Sequence, residues 1–214
     1  MIHVHKLYNY SGQEGWLQKE DQLTLKLLKT VEAKSDISQR RLSSELGIAL
    51  GLTNSYLNRC SRRGLIRIRG KSPRRYLYFL TPKGFAEKAN LSTRYLANSL
   101  EFYKLSADEF RNLFSKYDSE CCIRIILSGL SDLAEIAILI GRAANNVEII
   151  AIYDQGKKDI LFHEVPVFGN LSSLPKSDLV MVTSLDNPIE QYKHMLEVIA
   201  EDKIYLPTVL GVTL

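Results

Sequence analysis

At 214 residues, 45% of them hydrophobic, the chain is long enough to bury a sizeable core and to form two compact domains. Its net charge of +4 hides a sharp division: residues 1–100 carry 18 Lys+Arg against 7 Asp+Glu, residues 118–214 carry 7 against 14, and 101–117 balance at 3 and 3. Three cysteines badly spaced for a disulfide framework or a zinc site, and no apolar run near the ~20 residues of a membrane span, argue against a disulfide-stapled secreted domain and a membrane partner and lead us to expect a cytoplasmic protein with reduced thiols.

Taken in chain order, the first nineteen residues read as irregular. His3 and His5 alternate there without further ligands, so no metal site is expected. Leu23, Leu25, Leu27, Leu28 and Val31 follow a helical pattern over residues 20–32. Ser35 or Asp36 is expected to cap the next helix, which runs through residue 45, and Gly47 stands where that helix must stop and turn. A further helix over residues 50–63 turns Thr53, Leu57 and Cys60 inward, together with the preceding Ile48. Leu50, Gly51, Asn54, Ser55, Asn58 and Arg59 are left facing out.

Asparagine pairs bidentately with adenine and arginine with guanine, which makes Asn54, Asn58 and Arg59 the expected base readers, with Ser55 beside them. Strands over 65–69 and 76–81 flank a basic wing tip that contains Pro73. Arg59, Arg62, Arg63, Arg67, Arg69, Lys71, Arg74 and Arg75 fall within seventeen positions and no acid stands among them. So much like charge fits a polyanionic partner. Arg40, Arg62, Arg67, Arg69, Lys71, Arg74 and Arg75 are expected to contact double-stranded DNA, Arg74 and Arg75 at a phosphate or in a minor groove.

The run LSSELGIALGLTNSYLNRCSRRGLIRIRG, followed by YLYFLTPKGFAEKANLSTRYL, resembles the MarR-type winged-helix regulators encoded with exopolysaccharide and surface-polysaccharide genes. The LTPKG run and the basic helix after it are the nearest matches, and the resemblance extends over residues 21–104. It implies a winged helix-turn-helix fold, DNA binding at such genes, and a dimer built by the helices after the wing. Pro82 starts a long helix with Phe85, Ala89, Leu96, Leu100 and Tyr103 along one face. A break is expected near Ser106, with Phe110, Leu113 and Phe114 continuing the apolar supply.

From Cys121 the pattern changes to buried apolar runs, CIRIILS, VEIIAIYD and DLVMVTS, separated by helical segments near 133–140 and 189–200 and closed by KIYLP. The turn after the first run reads Gly129-x-Ser131-x-x-Ala134, against the dinucleotide fingerprint G-x-G-x-x-G/A, and Asp154 ends the second run where a carboxylate meets a ribose hydroxyl. Gly129, Ser131, Ala134 and Asp154 are thus the candidate ligand residues. Ser131 either hydrogen-bonds a phosphate or fills its space, and Asp132 would repel one. Residues 122–184, centred on HEVPVFGNLSSLPKSDLVMVTS, resemble the small Rossmann domain at the start of sugar-modifying and polysaccharide-biosynthesis proteins.

Tyr153 and Lys157 have the spacing of a short-chain dehydrogenase pair but flank a strand end, and His163 and His194 have no partner that the sequence identifies. No catalytic residue is expected. Together these readings give an α+β winged helix-turn-helix domain over 1–104, a helical linker over 105–120, and an α/β Rossmann-like domain with a parallel sheet over 121–214. The expected protein is a homodimeric DNA-binding regulator and not an enzyme. Its second domain either senses a nucleotide-type metabolite, such as NAD(H), another nucleotide or a nucleotide sugar, or is a ligand-free platform for dimerisation or protein recruitment.

Overall fold

The computed structural model describes residues 19–72, 75–117, 122–157 and 160–212, with side chains for all of these except Lys71, Ser72 and Arg75. His3, His5, Pro73, Arg74 and Cys121 lie outside the described residues. The chain divides into two units that meet inside one helix, between Ser99 and Leu100.

In the first unit, α1 (Lys19–Ala33) buries Leu25, Leu27, Leu28 and Val31 along one face, as their spacing demands. The cap of α2 (Gln39–Leu46) is Ser38, whose hydroxyl accepts the Arg41 N–H at 3.2 Å, rather than Ser35 or Asp36. Ser35 is engaged elsewhere: its carbonyl accepts the Tyr78 N–H at 2.8 Å, and the turn around it delivers Ile37 into the core before a helix can begin. Gly47 ends α2 at φ 70°, a conformation glycine adopts without a Cβ clash, and its N–H closes onto the Ser43 and Ser44 carbonyls. The chain then enters α3 (Leu50–Arg62), which buries Thr53, Leu57 and Cys60. Strands β1 (Ile66–Ser72) and β2 (Arg75–Leu80) pair antiparallel, with Ile66 opposite Leu80 and Ile68 opposite Tyr78.

The LTPKG run is a hydrogen-bonded corner. Thr81 donates its hydroxyl to the Gly64 carbonyl at 2.6 Å and accepts the Gly84 N–H at 3.0 Å, which caps α4 (Pro82–Phe114) with Pro82 in its first turn. Gly84 is glycine because the Leu65 carbonyl packs into the space a Cβ would take. The expected break near Ser106 is absent, and α4 runs unbroken for 33 residues. Ser106-Ala-Asp contains nothing that forbids a helix, and Phe102, Ser106, Phe110, Leu113 and Phe114 recur at helical spacing in the core of the second unit. Of the segment expected as a helical linker, residues 105–114 continue α4.

The second unit continues with β3 (Ile123–Ser128), α5 (Asp132–Ala143) and β4 (Val147–Tyr153). A hairpin of β5 (Ile160–Phe162) and β6 (Val165–Phe168) follows, then β7 (Leu179–Val182), α6 (Pro188–Leu196) and β8 (Ile204–Tyr205). The sheet order is β5-β6-β4-β3-β7-β8, and every pairing is parallel except β5 with β6. Its parallel strands therefore take the order third-second-first-fourth-fifth of a doubly wound sheet, with the switch point between β3 and β7. The α/β reading of the sequence holds. The hairpin was not foreseen, because its two-residue turn uses His163 and Glu164 at φ 47° and 67° where sequence signals lead one to look for Asn-Gly. Glu109 anchors the end of α4 within this unit, accepting from the Tyr205 hydroxyl at 2.8 Å and from the Thr208 and Val209 N–H groups at 2.5 and 2.9 Å. Among the described residues no helix is long and apolar enough to cross a membrane.

Candidate nucleic-acid interface and glycine turn

Burying Thr53, Leu57 and Cys60 forces the opposite side of α3 outward. Gly51, Ser55, Asn58 and Arg62 are exposed at intervals of four, three and four residues, so they form one stripe. Leu50 and Leu52 flank its start and are also exposed. Ser55 returns its hydroxyl to the Gly51 carbonyl at 3.1 Å.

Asn54 and Arg59 are placed differently from Asn58 and Arg62. Asn54 is half-buried, and its Oδ1 is buried without a hydrogen-bond partner among the described residues. Whichever way the amide is turned, one of its two polar atoms is withdrawn from solvent, and a bidentate contact to adenine needs both. Arg59 is half-buried, with its guanidinium 2.6 Å from the Glu20 carboxylate of α1 and 4.5 Å above the Tyr56 ring. Burial acts to lower the Arg59 pKa, but the Glu20 charge and hydrogen bond, with Tyr56, outweigh it and hold it above the ordinary value.

The basic side chains around the stripe sort into two groups. Lys34 and Arg41 meet Glu45, Arg63 meets Glu87, Lys88 meets Glu32 and Arg94 meets Asp21, at 2.6 to 3.6 Å. Arg40, Arg62, Arg67 and Arg69 are exposed and make no ion pair among the described residues. Arg67 and Arg69 share the outer face of the wing with Phe79, whose ring centre is 6.0 Å from the Arg69 guanidinium, and this face bounds a cavity of about 260 Å³. Lys71 and Arg75 are on the strands with their side chains undescribed, and Arg74 lies outside the described residues.

In the second unit Gly129, Ser131, Ala134 and Asp154 do come together, and they are bonded largely to the protein itself. Gly129 leaves β3 at φ 113°, and a Cβ there would lie 2.5 Å from the Ser184 nitrogen. The Leu130 N–H donates to an Asp154 carboxylate oxygen at 2.8 Å. Ser131 caps α5 by accepting from Leu133 and Ala134, at 3.1 and 3.3 Å, and donates to the Thr183 carbonyl at 2.5 Å. Thr183 in turn donates to the Gly129 carbonyl at 2.6 Å.

A pyrophosphate bound at such a turn takes the free N–H groups at the helix start. Here the Leu130, Leu133 and Ala134 donors are spent, and Asp132 adds negative charge beside them. Burial first, and then neighbouring Glu135, push the Asp132 pKa up, as expected for a buried carboxylate beside a like charge. These residues do not fit a dinucleotide.

Beyond the carboxyl ends of β4 and β7 lies an open groove of about 860 Å³, bounded by Gln155, Ser184, Asn187, Gln191 and His194. The sequence hid two contacts there. His194 Nε2 is 2.9 Å from the Tyr153 hydroxyl, and Gln191 donates to Ser128 at 2.8 Å, so α6 is bolted across the strand ends. Tyr153 is buried at the end of β4 while Lys157 is exposed in the turn after Gly156, so the two share no helix face. His163 pairs with Glu135 at 3.2 Å. No spacing signal joins residues 28 to 63 positions apart, which is why these partners were invisible.

Residues 20–67 match a family model described as winged helix-turn-helix DNA-binding. No curated protein matches the chain. Among solved structures, the chain is similar to the PcaV transcriptional regulator of Streptomyces coelicolor, at 25% identity over 44% of this chain and 71% of that one, with a TM-score of 0.36. It is also similar to Lactococcus lactis ZitR in complex with DNA, at 16% identity over 67% and 81%, with a TM-score of 0.33. A third similarity is to human N-acetylserotonin methyltransferase with SAM, at 12% identity over 83% and 69%, with a TM-score of 0.30. The family match and the geometry of α2, α3 and the wing make the first unit a winged helix-turn-helix DNA-binding domain. The second is an α/β domain on a mostly parallel sheet.

Proposed function

We propose that the chain is a dimeric, cytoplasmic transcriptional regulator of the MarR type, acting at surface-polysaccharide genes. The observation that carries the DNA-binding part is the α3 stripe ending in Asn58 and Arg62, flanked by Arg40, Arg67 and Arg69, which make no ion pair among the described residues. A helix carrying such a face, beside a basic wing, suits a major groove with phosphates on either side. The polysaccharide assignment rests on the two sequence resemblances. Support for the dimer comes from α4, where Phe85, Leu96, Leu100 and Tyr103 are exposed along one face, Leu96 by 59%. A symmetric dimer also matches a palindromic operator.

For the α/β unit we favour the ligand-free platform, for dimerisation or recruitment of another protein. The internally bonded glycine turn supports this reading over a nucleotide sensor. The test is selection of duplexes from a random-sequence pool by the purified full chain, with its mass measured by light scattering. A palindromic consensus found upstream of polysaccharide genes, bound by a dimer that Leu100→Glu dissociates, is the expected result. Failure to enrich any sequence, or a monomer throughout, would overturn the corresponding part.

A further inference from the structure

Arg59 occupies the recognition helix between Ser55 and Arg62, at the edge of the exposed stripe, yet it is committed to the protein. Its guanidinium is 2.6 Å from Glu20 and 4.5 Å above the Tyr56 ring. Both charged side chains keep substantial exposure, 40% for Arg59 and 51% for Glu20, so the pair is at the surface, within reach of a polyanion. An ion pair so exposed adds little to stability. Neither partner is needed to fill the core, which α1 and α3 build from Leu25, Leu28, Val31, Leu57 and Cys60. The pair is therefore not explained by folding.

Its consequence lies in binding. A free guanidinium at this position would neutralise a phosphate and release a counterion, whatever the DNA sequence. Paired with Glu20 it presents no net charge, and if the pair opened, the bare carboxylate would face the phosphates. Arg62, one turn along the same helix, has no such partner among the described residues.

Resting on the DNA-binding reading above, we infer that Glu20 is an internal competitor for DNA: it holds Arg59 as a neutral pair and so lowers sequence-independent affinity. The base contacts of Asn58 and Arg62 are left intact. What matters to a regulator is the ratio of specific to non-specific binding, and weakening only the second raises that ratio.

The test uses the full chain, a fluorescently labelled duplex of random sequence, and anisotropy over a salt series. Glu20→Gln should bind about three- to tenfold more tightly at low salt, with the log–log salt slope steeper by about 0.9, one added phosphate contact. Arg59→Ala alone should leave the salt slope unchanged, since Arg59 contacts no phosphate while Glu20 holds it, and should weaken binding only through the bared Glu20 carboxylate. Glu20→Gln with Arg59→Ala should lose the gain. The inference is overturned if Glu20→Gln binds like wild type, or if Arg59→Ala flattens the salt slope as much with Glu20 present as without it. A wild-type chain that binds no duplex even at low salt would instead overturn the DNA-binding reading, and this inference with it.

Discussion

The α3 stripe and the turn after β3 carry equally suggestive residues, and they differ in what those residues are bonded to. On α3, Asn58, Arg62 and the nearby Arg67 and Arg69 are exposed without an ionic partner among the described residues. At the turn, Ser131 and Asp154 are tied to Thr183, Leu133, Ala134 and Leu130 at 2.5 to 3.3 Å. A polar group can serve a ligand only with hydrogen-bonding capacity that the fold has not used, because satisfying it internally has already offset its desolvation. The comparison also divides α3 itself, where Arg59 is held by Glu20 and Arg62 is not.

The largest effect is expected at the turn. Gly129→Ala puts a Cβ 2.5 Å from the Ser184 nitrogen at a φ that L-residues rarely adopt. It should cost about 2–5 kcal/mol, strain and overpacking combined, in denaturant unfolding of the α/β unit. A cost near zero would mean that the turn is looser than described and has room for a phosphate. On the other side of the comparison, Arg62→Ala and Asn58→Ala should each lose about 1–3 kcal/mol of discrimination at single base pairs of a selected duplex. Unchanged consensus sequences would break the stripe assignment.

A smaller signal sharpens the turn further. NAD(H) present at a hundred times a dissociation constant would stabilise the fold by about 2.7 kcal/mol, so a thermal shift at millimolar NAD(H) is a sensitive probe. We expect no shift. A rise that Asp154→Ala abolishes would restore the nucleotide sensor.

The smallest effect concerns Asp132. Its folded pKa is raised, by burial and then by Glu135, so its charged form disfavours the folded state at neutral pH. That penalty disappears as pH falls through the raised folded pKa and is gone below the ordinary aspartate value. Asp132→Asn should therefore raise the melting temperature near pH 7 and converge on wild type near pH 4. The opposite trend would mean that the α5 dipole outweighs burial.

Much of the first unit was legible because its signals are local. Helix spacing, Gly47 as a stop, Pro82 as a start and the inward set Thr53, Leu57 and Cys60 depend on residues within a few positions of one another, and the chain obeys them. The apolar runs of the second unit likewise announced parallel strands. Local reasoning failed at the α2 cap and at Ser106. A distant partner, the Tyr78 N–H, claimed Ser35, and burial carried α4 past a polar stretch.

The sequence by itself determined which elements form, the class of each unit and the charge division between the two halves, because periodicity and local sterics act over a few residues. Only the tertiary structure decided which polar groups remain available. Glu20 meets Arg59 across 39 positions, Leu130 meets Asp154 across 24 and Ser131 meets Thr183 across 52. Those meetings depend on how α1 packs on α3 and on β4 and β7 flanking β3. One residue type thus stays exposed at Arg62 and closes an internal pair at Arg59.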